Sequence, residues 1–73
     1  MRDRIAEHDT VRLTAGIEKL GIPAGSLAVV LAIYTSPREG YEVEVVDDTG
    51  ETLFQGVVGR GDLEIVKRSS PNG

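Results

Sequence analysis

The sequence predicts an all-β domain, a small five-stranded antiparallel barrel with a long first loop. Three observations lead there. Short runs alternate apolar and polar residues, and turn residues separate the runs. One eight-residue run, Leu27 to Tyr34, is apolar on both faces, as a central or strongly bent strand must be. The whole chain is 73 residues, room for a single domain. A domain this short buries only roughly 60% of its unfolded surface, and others of the size lean on disulfides, metals or a partner chain. With no cysteine and one histidine, His8, disulfides are excluded and zinc has no ligand set. Tight β packing, association between chains, or both must then supply stability.

The first eight residues, MRDRIAEH, are an arm or a short helical turn, expected to be loosely held because so short a helix is unstable alone. Charges flank Ile5 and no apolar core follows, so the segment is not a signal peptide. No stretch approaches the roughly 20 apolar residues of a membrane span, and cytoplasmic localisation is the expectation. His8 reads as an exposed or capping residue. In Asp9 to Ala15, Val11 and Leu13 share one face while Thr10, Arg12 and Thr14 share the other, as in a half-buried strand.

Gly16 to Gly25, GIEKLGIPAG, is the long loop. Its IEKL segment makes one helical turn ended by Gly21, and Pro23 biases Ile22 towards an extended backbone. Leu20 and Ile22 are expected to pin the loop down while Glu18 and Lys19 face water. Leu27 to Tyr34 follows as a strand; its β-branched content and length decide against a helix. TSPREG is a hairpin loop. Tyr41, Val43 and Val45 then face inward and Glu42 and Glu44 outward. Asp47 to Gly50 is a tight turn. Glu51 to Val58 is a strand with apolar residues on both faces, so its inward side stays open. After Gly59-Arg60-Gly61, Asp62 to Lys67 sets Leu63 and Ile65 on one face, and RSSPNG is a polar tail. The expected organisation is therefore an arm at 1–8, a barrel at 9–67 and a flexible tail at 68–73.

Five strands with one long first loop and tight later hairpins suit an SH3-like arrangement, whose closure removes exposed edges. The runs HDTVRL, GIPAGSLAVVLAIY, YEVEVVDDTGETL and GDLEIV, covering about residues 5 to 66, resemble the DUF4926 family of small uncharacterised bacterial SH3-like domains. The chain carries Ala28 where that family's pattern tends to place a glycine. The resemblance implies a fold and no activity. Gly25 and the Val29-Val30 step are similar, more loosely, to KOW-type domains, many of which act in transcription or translation.

No enzyme signature is present: no nucleophile elbow, no phosphate loop opening a helix, no metal-ligand spacing. Glu42 and Glu44 lie about 7 Å apart on one strand face, but with Asp47, Asp48 and Glu51 they match no calcium loop. No catalysis and no cofactor are expected. Net charge is −4, and between Arg38 and Glu51 six acids stand against Arg38 alone. That concentration and the shortage of aromatics argue against nucleic acid.

The apolar surface exceeds what one small interior can hold, and an exposed apolar patch marks a protein–protein site. The expected function is a non-catalytic protein-binding or regulatory module, an accessory subunit or an antitoxin- or immunity-like partner. A KOW-like nucleic-acid or ribosome-associated module is the alternative. Binding is expected in a groove between the loop and the acidic hairpin. The candidate contact residues are Leu20, Ile22, Ala28, Val30, Tyr34, Tyr41, Glu42, Glu44 and Phe54. The partner is another protein, with homodimerisation one form of it.

Overall fold

The computed structural model describes residues 4–68. Five strands, β1 (Thr10–Leu13), β2 (Leu27–Tyr34), β3 (Gly40–Val46), β4 (Thr52–Val58) and β5 (Leu63–Lys67), form one sheet in the order β4-β3-β2-β1-β5. Every neighbouring pair is antiparallel. The all-β class and the five strands are as expected. Among the described residues no strand pair joins β4 to β5, so hydrogen bonding does not close the sheet into a barrel, and both strands are its edges there. Beyond Arg68 the expected tail lies outside the described residues.

Alternation places the core. Val11 and Leu13 of β1, Tyr41, Val43 and Val45 of β3 and Leu63 of β5 are buried, with Ile65 packed against them. β2 follows a less obvious rule. Val30 pairs with Val43 but Ala32 pairs with Glu42, so Leu31 is a bulge. A bulge adds one residue and resets which side chains face inward. Ala28 and Val30 point into the core before it; Ile33, opposite Tyr41, packs against the core after it. The apolar run is thus a bent strand that changes face parity. On β4, Phe54 and Val58 are the inward residues, opposite Val45 and Tyr41, which settles the side left open by the sequence.

The long loop is tied at its base and at its waist. Leu13 N–H donates to the Ser26 carbonyl at 2.9 Å and Gly25 N–H to the Leu13 carbonyl at 2.8 Å. Ile17 and Ile22 exchange backbone hydrogen bonds of 2.7 and 3.1 Å around a 3-10 turn at Glu18–Leu20. Gly21 ends that turn with φ of +70°, where a glycine carries no side-chain penalty. Ile22 is buried as expected, but Leu20 is exposed and Ile17 is the second residue packed on the core. A turn of only three residues leaves Leu20 pointing away once Ile17 and Ile22 are paired.

The segment before β1 departs most from expectation. Ile5 is buried in the core, and Asp9 is only 1% exposed. The Asp9 carboxylate accepts from Ala6 N–H at 2.8 Å and lies 3.8 Å from the Arg68 guanidinium. His8, exposed as expected, takes φ of +72° and donates its N–H to the Val30 carbonyl at 2.6 Å. In return Val30 N–H donates to the Asp9 carbonyl at 3.0 Å. Residues 5–9 are therefore built into the fold and are not a loose arm.

Candidate binding surface

On the outer face of β2, β3 and β4, the two carboxylates of β3, Glu42 and Glu44, are held by neutral neighbours. Tyr34 Oη donates to Glu42 Oε1 at 2.7 Å, and Gln55 Nε2 donates to Glu42 Oε2 at 2.9 Å. Thr52 Oγ1 donates to Glu44 Oε2. These contacts follow from register, since Glu42 stands opposite Ala32 and Val57 and Glu44 opposite Val29 and Gln55. The bonds from Gln55 and then Tyr34 hold the Glu42 carboxyl below its usual range; the same carboxylate pushes the Tyr34 hydroxyl up. In the β3–β4 turn, the Asp47 carboxylate accepts from the Thr49 hydroxyl at 2.7 Å and from the Thr49 and Glu51 amides at 2.9 Å each. Those bonds, the Thr49 hydroxyl foremost, lower its pKa. Among the described residues no group of three His, Asp or Glu side chains is placed to hold a metal ion.

Where this turn approaches the long loop, a groove of about 300 Å³ opens. Gly21, Ile22, Pro23 and Ser26 form its loop side, Leu27, Val45 and Val46 its sheet side, and Asp48 and Leu53 its far end. Ile22 and Val45 belong to the core and make an apolar floor. Leu27, Val46 and Leu53 are 50%, 45% and 47% exposed, so three large apolar side chains face water around it. Among the described residues the single ionisable lining group is Asp48, and Asp47 and Glu51 stand beside it in the turn.

A second, wider depression of about 670 Å³ lies at the other end of β3 and β4. Tyr34, the Ser36–Glu39 loop, Val57, Val58 and Asp62 line it. Tyr41, just behind, donates its hydroxyl to Glu39 Oε2 at 2.9 Å; burial first, then that carboxylate, raises its pKa against the opposing pull of Arg60 and Arg4.

The expected contact residues divide into three groups. Tyr34, Glu42 and Glu44 share the outer face. Ala28, Val30 and Tyr41 are interior, a correction: their side chains support the fold and present no surface to a partner, while Ile22, also buried, reaches the surface only as part of the groove floor. Phe54 packs half-buried against the core, and Leu20 is exposed but does not line the groove. Leu27, Val46, Asp48 and Leu53 were missed. For Val46 a signal existed, because it continues the outward parity of Glu42 and Glu44. For Leu27 none did, since β2 is apolar on both faces.

A family model described as a domain of unknown function (DUF4926) matches residues 7–64. No curated protein and no solved structure matches the chain. No helix among the described residues is long and apolar enough to cross a membrane.

Proposed function

The chain belongs to the DUF4926 family, a domain of unknown function, and we propose that it is a non-catalytic module that docks another protein in the groove between the long loop and the β3–β4 turn. One observation carries this reading: three large apolar side chains, Leu27, Val46 and Leu53, stay in water around a concave, apolar-floored site whose one ionisable lining group, among the described residues, is Asp48. Burying them against an apolar side chain of a partner supplies affinity, at about 25 cal/mol per Å² of apolar surface removed from water. Asp48, with Asp47 and Glu51 nearby, favours lysine or arginine beside that anchor and sets its direction. The same carboxylates repel a phosphate backbone.

Selection from a displayed random-peptide library with the whole chain as bait tests this. The expected peptides carry an apolar residue next to a basic one. Leu27→Asp or Val46→Asp should abolish their binding, Asp48→Lys should weaken it tenfold or more, and Val66→Lys, on β5, should leave it unchanged. Selected peptides without basic residues, or binding indifferent to both groove substitutions, would overturn the reading.

A further inference from the structure

The two edges of the open sheet are unlike. β5 carries Glu64 and Lys67, and Glu64 meets Arg12 of β1 at 3.9 Å; charges of this kind blunt an edge. β4, TLFQGVV, runs seven residues without a charge or a proline, and among the described residues pairs with β3 alone. Every second residue of such a strand turns its amide and carbonyl away from its neighbour, ready for another strand. Leu53 and Val57, the latter 59% exposed, lie along it.

The charges at the two ends of β4 differ as well. At its start stand Asp47, Asp48 and Glu51, with no base among them. At its finish stand Arg38 and Arg60, with Glu39 and Asp62. Those two carboxylates are engaged locally, Glu39 by the Tyr41 hydroxyl and Asp62 by Gly59 N–H at 3.0 Å. Neutral donors leave both carboxylates charged, so this end carries two positive and two negative side chains and balances, with Arg38 exposed on its loop, while the start of β4 is purely acidic.

We propose that two copies of this chain pair β4 against β4, antiparallel, about a two-fold axis at Gln55. Opposite residues of an antiparallel pair share a face, so a two-fold pairing must set a residue against its own copy. With Gln55 on the axis, Val57 of each copy lies beside Leu53 of the other, and Phe54 beside Gly56. The Arg38 end of one copy then lies against the Glu51 end of the other, at both ends of the pair. A parallel pairing would bring the acidic turns together. The product is one continuous ten-stranded sheet in which neither β4 remains an edge. The only link is one strand pair with its flanking side chains, so the contact belongs to the small interfaces, under about 1,200 Å², and dissociates readily.

Sedimentation velocity over a concentration series tests this, with circular dichroism confirming that each variant is folded. The wild-type chain should move from one-chain to two-chain mass as concentration rises. Val57→Lys and Gln55→Lys should each raise the dissociation constant at least tenfold, whereas Val66→Lys on β5 and Leu27→Asp in the groove should leave it unchanged. Arg38→Glu should weaken the pair, and adding Glu51→Lys should restore it. A chain that stays monomeric up to about 1 mM, the range of the weakest specific contacts, would overturn the proposal. So would a dimer that survives both edge lysines, which would mean that another surface holds it.

Discussion

The Asp9 carboxylate sits among apolar side chains and is tolerated because its acceptor positions are used. Ala6 N–H donates to it at 2.8 Å and the Arg68 guanidinium lies 3.8 Å away. Its backbone also serves, since the Asp9 carbonyl accepts from Val30 N–H. A buried polar group stabilises only while its partners are present, and removing one leaves the others desolvated without compensation. Asp9→Ala should therefore cost about 1–3 kcal/mol in urea unfolding. Asp9→Asn keeps an oxygen for Ala6 N–H and should cost less than Asp9→Ala. Equal losses would mean that the charge towards Arg68, not the turn at Ala6, is what matters. Glu42 works in the opposite setting. It is held by Gln55 and Tyr34 on an exposed face, so its depressed pKa gives a stabilising contribution that is present above the ordinary carboxylate range and fades as pH falls below it. No residue-level pattern announced Asp9, because an acid before a strand reads equally well as a solvated cap.

Among the elements, strands with strict alternation were legible almost to the residue. β1 and β3 each send their predicted residues inward, because on a half-buried strand the period of two is imposed directly by the core. β2 was legible as a strand but not in its facing. An all-apolar run carries no parity, and the bulge at Leu31 is set by the pairing with β3, which only the fold reveals. Ala28 and Val30 were therefore assigned to a surface when they belong inside. A groove does lie between loop and acidic turn, where the sequence suggested one; of its lining Ile22 was expected, Val46 could have been read from the parity of Glu42 and Glu44, and Leu27 could not, because β2 is apolar on both faces. The long loop depends on a glycine in a way that is specific and testable. A Cβ at Gly16 would lie 2.5 Å from the Ile22 carbonyl oxygen and 2.9 Å from Ala24 N, both rigid backbone. Gly16→Ala must push Ile22 and Ala24 away and strain the Ile17–Ile22 exchange that seats the loop. The expected loss is about 1–3 kcal/mol, the range for overpacking. Faster amide exchange at Ile17 and Ile22 should accompany it, with β3 and β4 unchanged. Unaltered exchange at those two amides would show that the loop closes without this contact.

At the scale of the whole molecule the margin is small, and the segment before β1 is part of what sustains it. At 0.05–0.15 kcal/mol per residue, a chain of this length has a stability of about 4–11 kcal/mol. Ile5 is 2% exposed and is counted with Val11, Val30 and Val43 in one core cluster, so it fills interior volume. Truncating a buried isoleucine to alanine costs about 2–5 kcal/mol. Ile5→Ala should accordingly remove a large part of the total and lower the thermal midpoint by roughly 4–8 °C for each kcal/mol lost. Deleting residues 1–8 removes Ile5 and also the His8 N–H bond to the Val30 carbonyl, and should leave a chain with no cooperative thermal transition at 25 °C or above. The two changes separate packing from tethering. If the deletion is no worse than Ile5→Ala, burial of one side chain accounts for the segment; if Ile5→Ala is nearly neutral, the hydrogen bonds at His8 and Asp9 hold it. The sequence concealed this role because one isoleucine among charged residues has no periodicity, and its burial depends on a gap between strands that the segment itself does not encode. Pairing through β4 would add to the margin by mass action, since a species that binds only the folded chain raises apparent stability with concentration. The Ile5→Ala midpoint should therefore climb with protein concentration, and climb less when Val57→Lys is added. A concentration-independent midpoint in both backgrounds would mean that the single chain supplies all of its own stability.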